Sequence, residues 1–293
     1  MVGKARPTGA ASYQQRVDRH FDAQVARWRD LYTGDGLPGA IFQRRRALAL
    51  NWIDQLALPR QAQVLEIGCG AGLLAMDLAL RGYAVKGIDS SPAMVELARD
   101  EVRNAGLEEQ IAIDAGDVHS LNIGDAGFEL VIALGVLPWL HTPQKAMSEM
   151  SRVLRPGGYV LLTSANKFRL RRLLDPRFTP FPGRELLKRT LVTIGAKEPP
   201  APQPRFDSNR EVRAMASRLE LQVERYATVG FGPFTLLGKP ILLGPRAKRI
   251  EAWLQARLDA GWPGISACGD HYVILARKPL QPPELAPERY GLP

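Results

Sequence analysis

A glycine-rich turn after a short apolar run is the feature of the sequence most suited to chemistry. The run and the turn read VLEIGCGAG at residues 64–72, with glycine at alternate positions: Gly68, Gly70 and Gly72. Glycine permits a tight turn and lets backbone N–H groups approach a ligand closely. Glycine turns are also common in purely structural roles, so the loop alone does not decide between ligand binding and chain reversal.

Two acidic residues make the binding interpretation more specific. Asp89 follows the next apolar run, in GIDSS, 19 residues after Gly70. A carboxylate at the end of a second strand is suited to accept hydrogen bonds from ribose hydroxyls. Asp117 follows a third run, in AGDVHSL, where it can accept from an adenine amino group while Val118 packs against the ring. The loop, Asp89 and Asp117 at three successive strand ends therefore predict a nucleoside-binding site.

The residues around the loop favour a cationic nucleoside over a dinucleotide. The dinucleotide fingerprint G-x-G-x-x-G requires a third glycine where this chain has Leu73. Glu66, just before the loop, would repel a pyrophosphate but suits a cation. Residues 61–166 contain 7 basic and 13 acidic side chains, a balance of −6 in a chain of net charge +9. S-adenosylmethionine, with a sulfonium, an ammonium and one carboxylate, matches this charge, and an oxidoreductase is disfavoured.

Helices and strands are predicted to alternate around these residues. Apolar residues at steps of three or four predict helices, and short β-branched runs predict strands. Helices are expected at 12–28 (with Ser12 as N-cap), 40–56 (with Ile41, Ala47, Leu48, Trp52 and Ile53 inward), 72–80, 92–102, 143–154, 184–193, 208–219 and 246–258. Strands are expected at 64–68, 83–88, 111–113, 128–133, 159–163, 221–229 and 271–276, with a turn in PGG at 156–158. This alternation predicts an α/β fold with a doubly wound, Rossmann-like sheet.

These motifs, taken together, resemble those of class I S-adenosylmethionine-dependent methyltransferases. VLEIGCGAG, GIDSS and GDVHSL are similar to the first three motifs of that family, and FELVIALGVLPWL and RVLRPGGYVLLTSAN to the two regions that follow. They cover about residues 62–166 in family order, and HYVILARKP resembles the last strand. The resemblance implies the strand order 3-2-1-4-5-7-6 with the last strand antiparallel. It is greatest to bacterial small-molecule enzymes of the ubiquinone C-methyltransferase or magnesium-protoporphyrin O-methyltransferase type.

The resemblance also implies a role for each site residue. The three glycines should wrap the methionine part of S-adenosylmethionine, and Glu66 should hold the loop, or the amino group through water. The other implied cofactor contacts are Asp89 at the ribose, Ser90 and Met94 beside the adenosine, Asp117 and Val118 at the adenine, and Leu134 at the methionine end. N-terminal helices are expected to close over the cofactor, with Tyr32 and Arg44 as candidate contacts or as packing residues only.

Methyl transfer requires a general base only where the acceptor must lose a proton. His141, which follows the fourth strand in LPWLHTP, is the candidate catalytic residue. His119 and His271 are weaker candidates, for which a structural role is favoured. Leu137 and Trp139 are expected to form either an apolar substrate wall or part of the core. The predicted reaction transfers a methyl group to oxygen or carbon of a small, partly apolar or acidic molecule.

Composition and charge set the layout of the chain. The 293 residues are 45% hydrophobic, as in a globular protein, and the 2 cysteines exclude a disulfide framework and a four-cysteine zinc site. The expected layout is an irregular tail (1–11), a helical lid (12–60), a methyltransferase domain (61–279) and an irregular tail (280–293). Within the domain, residues 167–206 carry 10 basic and 3 acidic side chains and are expected to form a basic cap.

The basic cap leaves several partners open. It suits an anionic small molecule, the surface of an anionic membrane, or RNA. Nucleic acid is disfavoured, because LGVLPW stands where base-amine methyltransferases have [DN]-P-P-[YF], and no Pro-Cys pair is present. RNA or protein methylation and non-catalytic S-adenosylmethionine binding remain as alternatives. No metal is expected, and the chain is predicted to be a cytoplasmic monomer or homodimer, with peripheral contact at the inner membrane surface as a further option.

Overall fold

A seven-stranded mixed sheet forms the centre of the protein. The computed structural model describes residues 9–25, 34, 36–171, 202–237 and 239–280. The strands are β1 (Gln63–Ile67), β2 (Ala84–Asp89), β3 (Ile111–Ala115), β4 (Phe128–Ala133), β5 (Leu154–Ala165), β6 (Gln222–Val229), β7 (Thr235–Leu236), β8 (Lys239–Pro240) and β9 (His271–Arg277). The large sheet has the order β3-β2-β1-β4-β5-β9-β6, and β7 and β8 form a separate two-stranded sheet. β9 runs antiparallel to both β5 and β6, so the predicted fold class and strand order are confirmed.

Helices cover both faces of the sheet because its strands are buried on both sides. The helices are α1 (Gly9–Asp22), α2 (Leu37–Asp54), α3 (Leu73–Ala79), α4 (Pro92–Asn104), α5 (Pro143–Val153), α6 (Asn209–Ser217) and α7 (Gly244–Asp259). Successive side chains of a strand point to opposite faces. Leu65 accordingly packs in one apolar cluster with side chains of α5 and α6, whereas Val64 packs in a second with side chains of α2, α3 and α4.

The N-terminal region differs from the expectation in its helix start. α1 begins at Gly9, so Ser12 lies inside the helix and is not its N-cap, and residues 9–11 are helical rather than irregular. Residues 1–8, Trp28 and the candidate cofactor contact Tyr32 lie outside the described residues.

The α2 helix differs from the expectation in its start and at one inward position, although Ile41, Trp52 and Ile53 are buried as expected. It begins at Leu37 rather than at residue 40, because Gly36 lies at its N-cap and Pro38 occupies its first turn. Ala47, expected to point inward, is exposed, and Arg45 is buried instead. This buried arginine places a charge beside the ligand-binding edge of the sheet.

The fifth strand is longer than expected. β5 extends from Leu154 to Ala165 and includes the PGG segment at 156–158, for which a turn was expected. The register against β4 shifts between Phe128↔Leu154 and Leu130↔Tyr159, so PGG forms an irregularity within the strand. The α6 helix starts where expected, because Ser208 and Glu211 form a capping box at its N-terminus.

Two further observations bear on the expected layout. The basic cap is described only at its ends, 167–171 and 202–206, and both the helix expected at 184–193 and residues 281–293 lie outside the described residues. Within the described part of the chain, no helix has the length and apolarity needed to cross a bilayer.

Candidate functional site

A cavity of about 200 Å³ lies at the carboxyl ends of the parallel strands. In an open α/β sheet, this edge is where ligands bind. Its wall includes six of the residues predicted to bind the cofactor: Gly68, Gly70, Asp89, Ser90, Met94 and Leu134. The rest of the wall is Phe21, Phe42, Arg45, Ala71, Gly135, Val136, Pro138, Trp139, Leu140, Ala165, Arg169, Pro204 and His271. The sheet therefore brings most of the predicted cofactor residues to one place.

The glycine loop has a conformation that favours glycine at each of its three positions. Gly68, Gly70 and Gly72 have φ of 66°, 54° and 75°, a region that side chains with a Cβ rarely adopt. A Cβ at Gly68 would overlap the side chain of Val136, whereas a Cβ at Gly70 would meet nothing within 4 Å. Since Gly70 lines the cavity, its missing side chain leaves room for a ligand against the backbone.

Asp89 joins the glycine loop to the end of β2. Its Oδ2 accepts from the backbone N–H of Gly70 at 3.0 Å, and its Oδ1 accepts from the backbone N–H of Ser91 at 2.9 Å. Burial raises the pKa of Asp89, although these backbone hydrogen bonds act in the opposite direction. The carboxylate is thus held by two backbone groups while it lines the cavity, and each oxygen keeps a lone pair for a ligand hydroxyl.

The helix α1 docks beside Asp89 through two carboxylates. Asp18 accepts from the Ser90 hydroxyl at 2.8 Å, and Asp22 accepts from the Ser91 hydroxyl at 2.5 Å. Ser91 is also the N-cap of α4, where its Oγ accepts from the Met94 N–H at 3.2 Å. The sequence analysis placed α1 as a lid but did not identify these contacts.

Glu66 is a buried carboxyl group beneath the loop. It is 5% exposed, and its Oε2 has no hydrogen-bond partner. Burial raises the pKa of Glu66 to about 8, against the opposing charge of Arg46. A second cavity of about 30 Å³, lined by Glu66, Gly68 and Arg45, adjoins it and has room for a water molecule. This arrangement supplies an acceptor for a cationic group, directly or through water.

The two residues predicted to bind the adenine, Asp117 and Val118, lie outside the cavity wall. Asp117 Oδ1 accepts from the backbone N–H of His119 at 2.9 Å and lies 2.6 Å from its ring Nδ1. These bonds outweigh the effect of burial and lower the pKa of Asp117. Val118 is 6% exposed and packs in the first apolar cluster. Neither Asp117 nor Val118 is part of the cavity wall, so their adenine contact stays a prediction.

His141 lies outside the cavity wall, with its ring tilted by 35° against that of a second histidine. The ring centroids of His119 and His141 are 3.9 Å apart, and His141 Nδ1 is 3.4 Å from Gln14 Oε1. Burial and the neighbouring His119 lower the pKa of His141. Trp139 lies in the wall, whereas Leu137 is fully buried in the core, so only Trp139 supports the predicted substrate wall.

The end of the cavity around His271, which starts β9 and is separated from β2 and its Asp89 by three strands, is basic. Arg45 is 3% exposed, and its guanidinium lies over Gly135, where an added Cβ would be 3.1 Å from Nη1. Arg169 and His271 complete this end. Burial, followed by the charges of Arg45 and Arg169, lowers the pKa of His271 to about 3. His271 is therefore a neutral ring, and its Nδ1 has no hydrogen-bond partner.

Sequence reasoning selected Arg44 and missed Arg45. The Arg44 guanidinium instead lies 3.4 Å from the buried Glu251. A four-residue step joins Leu37, Ile41, Arg45, Ala49 and Ile53, and all five residues are buried. This step in the sequence was the signal that could have identified Arg45.

Comparison with known proteins agrees with this geometry. The family profile described as "Methyltransferase domain" matches residues 65–162. Methyltransferase GfsG of Streptomyces halstedii is 40% identical over 106 residues, which are 36% of this chain and 38% of that protein. The ubiquinone biosynthesis O-methyltransferase of Pseudomonas aeruginosa (strain LESB58) is 32% identical over 123 residues, 41% of this chain and 51% of that protein. The chain thus spans about half or less of the length of these relatives.

A solved structure extends the likeness to nearly the whole fold. The crystal structure of the 4+2 cyclase SpnF is similar with a TM-score of 0.63 and 19% identity, over 95% of this chain and 100% of that one. At this identity the likeness shows the fold alone, and a cyclase on the same fold shows that fold does not fix the reaction. The family profile identifies residues 65–162 as a methyltransferase domain, and the sheet order and the site geometry agree with the fold of class I S-adenosylmethionine-dependent methyltransferases.

Proposed function

We propose that the chain transfers a methyl group from S-adenosylmethionine to oxygen or carbon of a small, partly apolar or acidic molecule. The observation that carries this proposal is the polarity of one cavity. Asp89 lines one end, Arg45 lines the other, and apolar side chains lie between them. A ligand with ribose hydroxyls at one end and a carboxylate at the other fits this arrangement.

The described residues fit S-adenosylmethionine group by group. Asp89 would accept hydrogen bonds from the ribose hydroxyls, and the open space at Gly70 would admit the ligand against the loop. Glu66, with an unpartnered carboxylate oxygen, would accept from the ammonium group directly or through water. Arg45 would bind the carboxylate, because it lines both this cavity and the small one that contains Glu66. Met94 and Leu134 supply apolar contacts.

The remaining wall residues would orient the acceptor and exclude water. When bound, S-adenosylmethionine would supply an electrophilic methyl group on a sulfonium, to which an in-line nucleophile bonds as the bond from carbon to sulfur breaks and S-adenosylhomocysteine leaves. Phe21, Phe42, Trp139 and Leu140 form an apolar wall, and a dry, fixed geometry accelerates such a displacement. Phe21 packs edge-on against Trp139, with ring centroids 5.2 Å apart, which ties α1 to the wall.

Two histidines differ in what they would do for an acceptor that carries a proton. His271 lines the cavity, and its neutral ring would accept a hydrogen bond from an acceptor hydroxyl. Its pKa of about 3 makes it a weak base at neutral pH. His141, the predicted base, would need a shift of its loop to reach the cavity, and its catalytic role stays a prediction.

The partners of the whole protein are part of the same proposal. The relative from Pseudomonas aeruginosa named above is an O-methyltransferase of ubiquinone biosynthesis, and an acceptor of mixed apolar and acidic character suits the wall described here. The proposed location is the cytoplasm, with the basic cap in contact with an anionic membrane or substrate. The described ends of the cap carry basic side chains, including Lys167 and Arg169, which suit such a contact. RNA methylation has no specific support among the described residues.

Replacing Asp89 by alanine tests the proposal. S-adenosylhomocysteine should bind the wild type with micromolar affinity in calorimetry. Asp89→Ala should weaken binding by about 1–3 kcal/mol, the cost of leaving buried hydroxyls unpaired. Asp114→Ala is the matched control, because Asp114 also ends a strand but pairs with Lys86 at 2.9 Å on the surface. A wild type that binds NAD but not S-adenosylhomocysteine would contradict the proposal.

A further inference from the structure

Exposed apolar side chains are concentrated in one part of the molecule. Among the described residues, seven of the ten exposed large hydrophobic side chains lie between residues 236 and 262: Leu236, Leu237, Ile241, Leu243, Ile250, Trp253 and Trp262. Single exposed apolar residues are ordinary, but a cluster marks an interaction surface. Three of the seven are highly exposed, namely Leu237 at 62%, Ile241 at 55% and Leu243 at 69%.

The first half of the cluster is a hairpin with a fixed base. The strands β7 and β8 pair Thr235 with Pro240 and Leu236 with Lys239. The Ile241 N–H donates to the Phe234 carbonyl at 3.0 Å, and the Phe234 side chain is 6% exposed. Phe234 packs with Leu37 and Ile41 of α2. The base of the hairpin is therefore anchored, and its leucine and isoleucine side chains project from a fixed platform.

The second half of the cluster is the outer face of α7. Arg246, Arg249, Ile250, Trp253 and Arg257 follow the helical steps of three and four that place side chains on one face. The Arg257 guanidinium lies over both tryptophan rings, 5.2 Å from Trp253 and 4.3 Å from Trp262. The opposite face, including Ala247 and Gln255, is buried.

The charge of this segment is predominantly positive. Residues 234–262 contain five basic side chains, Lys239, Arg246, Lys248, Arg249 and Arg257, and two acidic side chains, Glu251 and Asp259. Glu251 is 2% exposed and pairs with Arg44, whereas Asp259, the exposed last residue of α7, accepts from the Gln255 side chain at 2.9 Å. The surface of the segment therefore presents basic and apolar groups together, with one exposed carboxylate at the end of α7.

The segment leaves the sheet at the edge where the cavity lies. Val229, the last residue of β6, pairs with His271, which lines the cavity. The chain continues from there to the hairpin, and a Cβ at Gly232 would lie 2.8 Å from Leu37, so this connection packs closely on α2. The same helix supplies Phe42 and Arg45 to the cavity wall.

We propose that the hairpin (234–243) and the outer face of α7 dock on an anionic phospholipid bilayer. Aliphatic side chains that enter the acyl boundary, tryptophans at the headgroup level and surrounding Lys and Arg are the features of an interfacial membrane contact. The excess of basic over acidic side chains in the segment matches the negative charge of the lipid. This surface is formed by residues other than those of the basic cap (167–206), and its role does not depend on the proposed methyl transfer.

Vesicle sedimentation with the full chain tests this docking surface. The wild type should bind to vesicles of equal parts phosphatidylglycerol and phosphatidylcholine. It should bind much less to vesicles of phosphatidylcholine alone. Leu237→Asp should lower the binding at least about tenfold, because a charge cannot enter the acyl boundary. Leu237 has φ of 47°, a conformation that aspartate tolerates, so the variant should fold. Leu80→Asp is the matched control, since Leu80 is 74% exposed elsewhere and should leave binding unchanged.

Charge reversal provides a second, independent arm. Arg246→Glu with Arg249→Glu should lower vesicle binding at least about tenfold at low salt, because each reversed charge removes attraction to the anionic lipid. The effect should be smaller at high salt, because salt screens these charges. Arg60→Glu with Arg210→Glu carries the same change of charge at other exposed positions and should have little effect. A wild type that does not bind anionic vesicles, or controls that lose as much binding as the test variants, would overturn the proposal. Self-association abolished by Leu237→Asp, without vesicle binding, would assign the surface to a second copy of the chain.

Discussion

The two ends of the cavity differ in charge and in how the chain builds them. At one end, Asp89, Gly70 and Ser90 come from two neighbouring loops, and the carboxylates of α1 make this end acidic. At the other end, Arg45 and Arg169 flank a neutral His271. The first end suits hydroxyl groups and cations, and the second suits anions. A single extended zwitterionic ligand can therefore bind in only one direction.

The difference also lies in sequence distance. Gly70 and Asp89 are 19 residues apart and belong to consecutive strands, so their meeting follows from the local order of elements. Arg45 and His271 are more than 200 residues apart and meet only because β9 inserts between β5 and β6. The acidic end is thus a property of one βαβ unit, and the basic end is a property of the completed fold.

The largest expected effect is at the acidic end. Gly70→Val should weaken S-adenosylhomocysteine binding by about 100-fold or more, because the added side chain projects into the cavity from a strained backbone. Calorimetry measures the affinity, and a melting curve reports whether the variant folds.

Gly106→Val is the control that separates the effect of a strained backbone from the effect of a side chain that fills the cavity. Gly106 also has a positive φ, 67°, and open space around its Cβ position, but it lies outside the cavity wall. Its substitution should lower the melting temperature without changing cofactor affinity. Equal affinity of Gly70→Val and the wild type would remove the loop from the site.

A smaller effect is expected at the basic end, and it should depend on the ligand. Arg45→Gln should weaken S-adenosylhomocysteine binding by about 1.5–3 kcal/mol, the range for hydrogen bonds to charged groups. It should not affect 5′-methylthioadenosine, which has no carboxylate. Competition of both ligands against a fluorescent adenosine probe measures the two affinities side by side.

Arg44→Gln is the natural control for that experiment. Arg44 neighbours Arg45 in the chain but pairs with Glu251, so its loss should lower the melting temperature and leave both affinities unchanged. If Arg45→Gln weakens both ligands equally, Arg45 shapes the cavity rather than binding a carboxylate.

The smallest expected effect concerns stability, and its sign follows from Glu66. The folded-state pKa of Glu66, about 8, lies above its unfolded value. Its contribution to stability is therefore complete at acidic pH and is lost as pH rises through about 8. As pH rises from 5.5 to 8.5, the wild type should lose free energy of unfolding relative to Glu66→Gln, by at most about 1.4 kcal/mol per pH unit. The melting temperature of Glu66→Gln should therefore rise relative to that of the wild type.

Glu96→Gln, at a surface carboxylate, is the control for this trend, and a second buried carboxyl group, Asp270, does not interfere with it. Glu96→Gln removes an exposed partner of Arg99 and should show no such trend. Burial also raises the pKa of Asp270 to about 8, but Asp270 is present in both proteins, so its effect cancels in the difference. A difference in melting temperature that does not vary with pH would contradict the raised pKa of Glu66.

Local patterns predicted the alternation of strands and helices and the acidic end of the site. The positions of Gly70 and Asp89 follow from turns and strand ends that the sequence encodes within short segments, whereas the strand order was implied by the family resemblance. The inner face of α2 was predicted correctly at Ile41, Trp52 and Ile53, but Ala47 was assigned to it by hydrophobicity, while packing on the sheet placed Arg45 there. A charged residue on a buried face conflicts with the apolar pattern, and only the cavity beside it explains the conflict.

The hairpin of β7 and β8 was missed for a related reason. Its sequence, TLLGKPILL, has two-residue strands that are too short for a periodic pattern. Apolar residues there predict burial, whereas the structure leaves Leu237 and Leu243 exposed. The tertiary contacts of Phe234 with α2, rather than local propensity, determine which side chains remain outside.

The docking of α1 on the serines after β2 has a consequence for exchange kinetics. Ser90 and Ser91 each donate to a carboxylate of α1, beside the cavity wall. Hydrogen bonds to charged groups contribute about 1.5–3 kcal/mol each, so even at the lower value the two carboxylates would make separation of α1 from this turn about 150-fold less favourable. A nucleoside that leaves past α1 would then stay bound longer than one held by a helix without the two carboxylates.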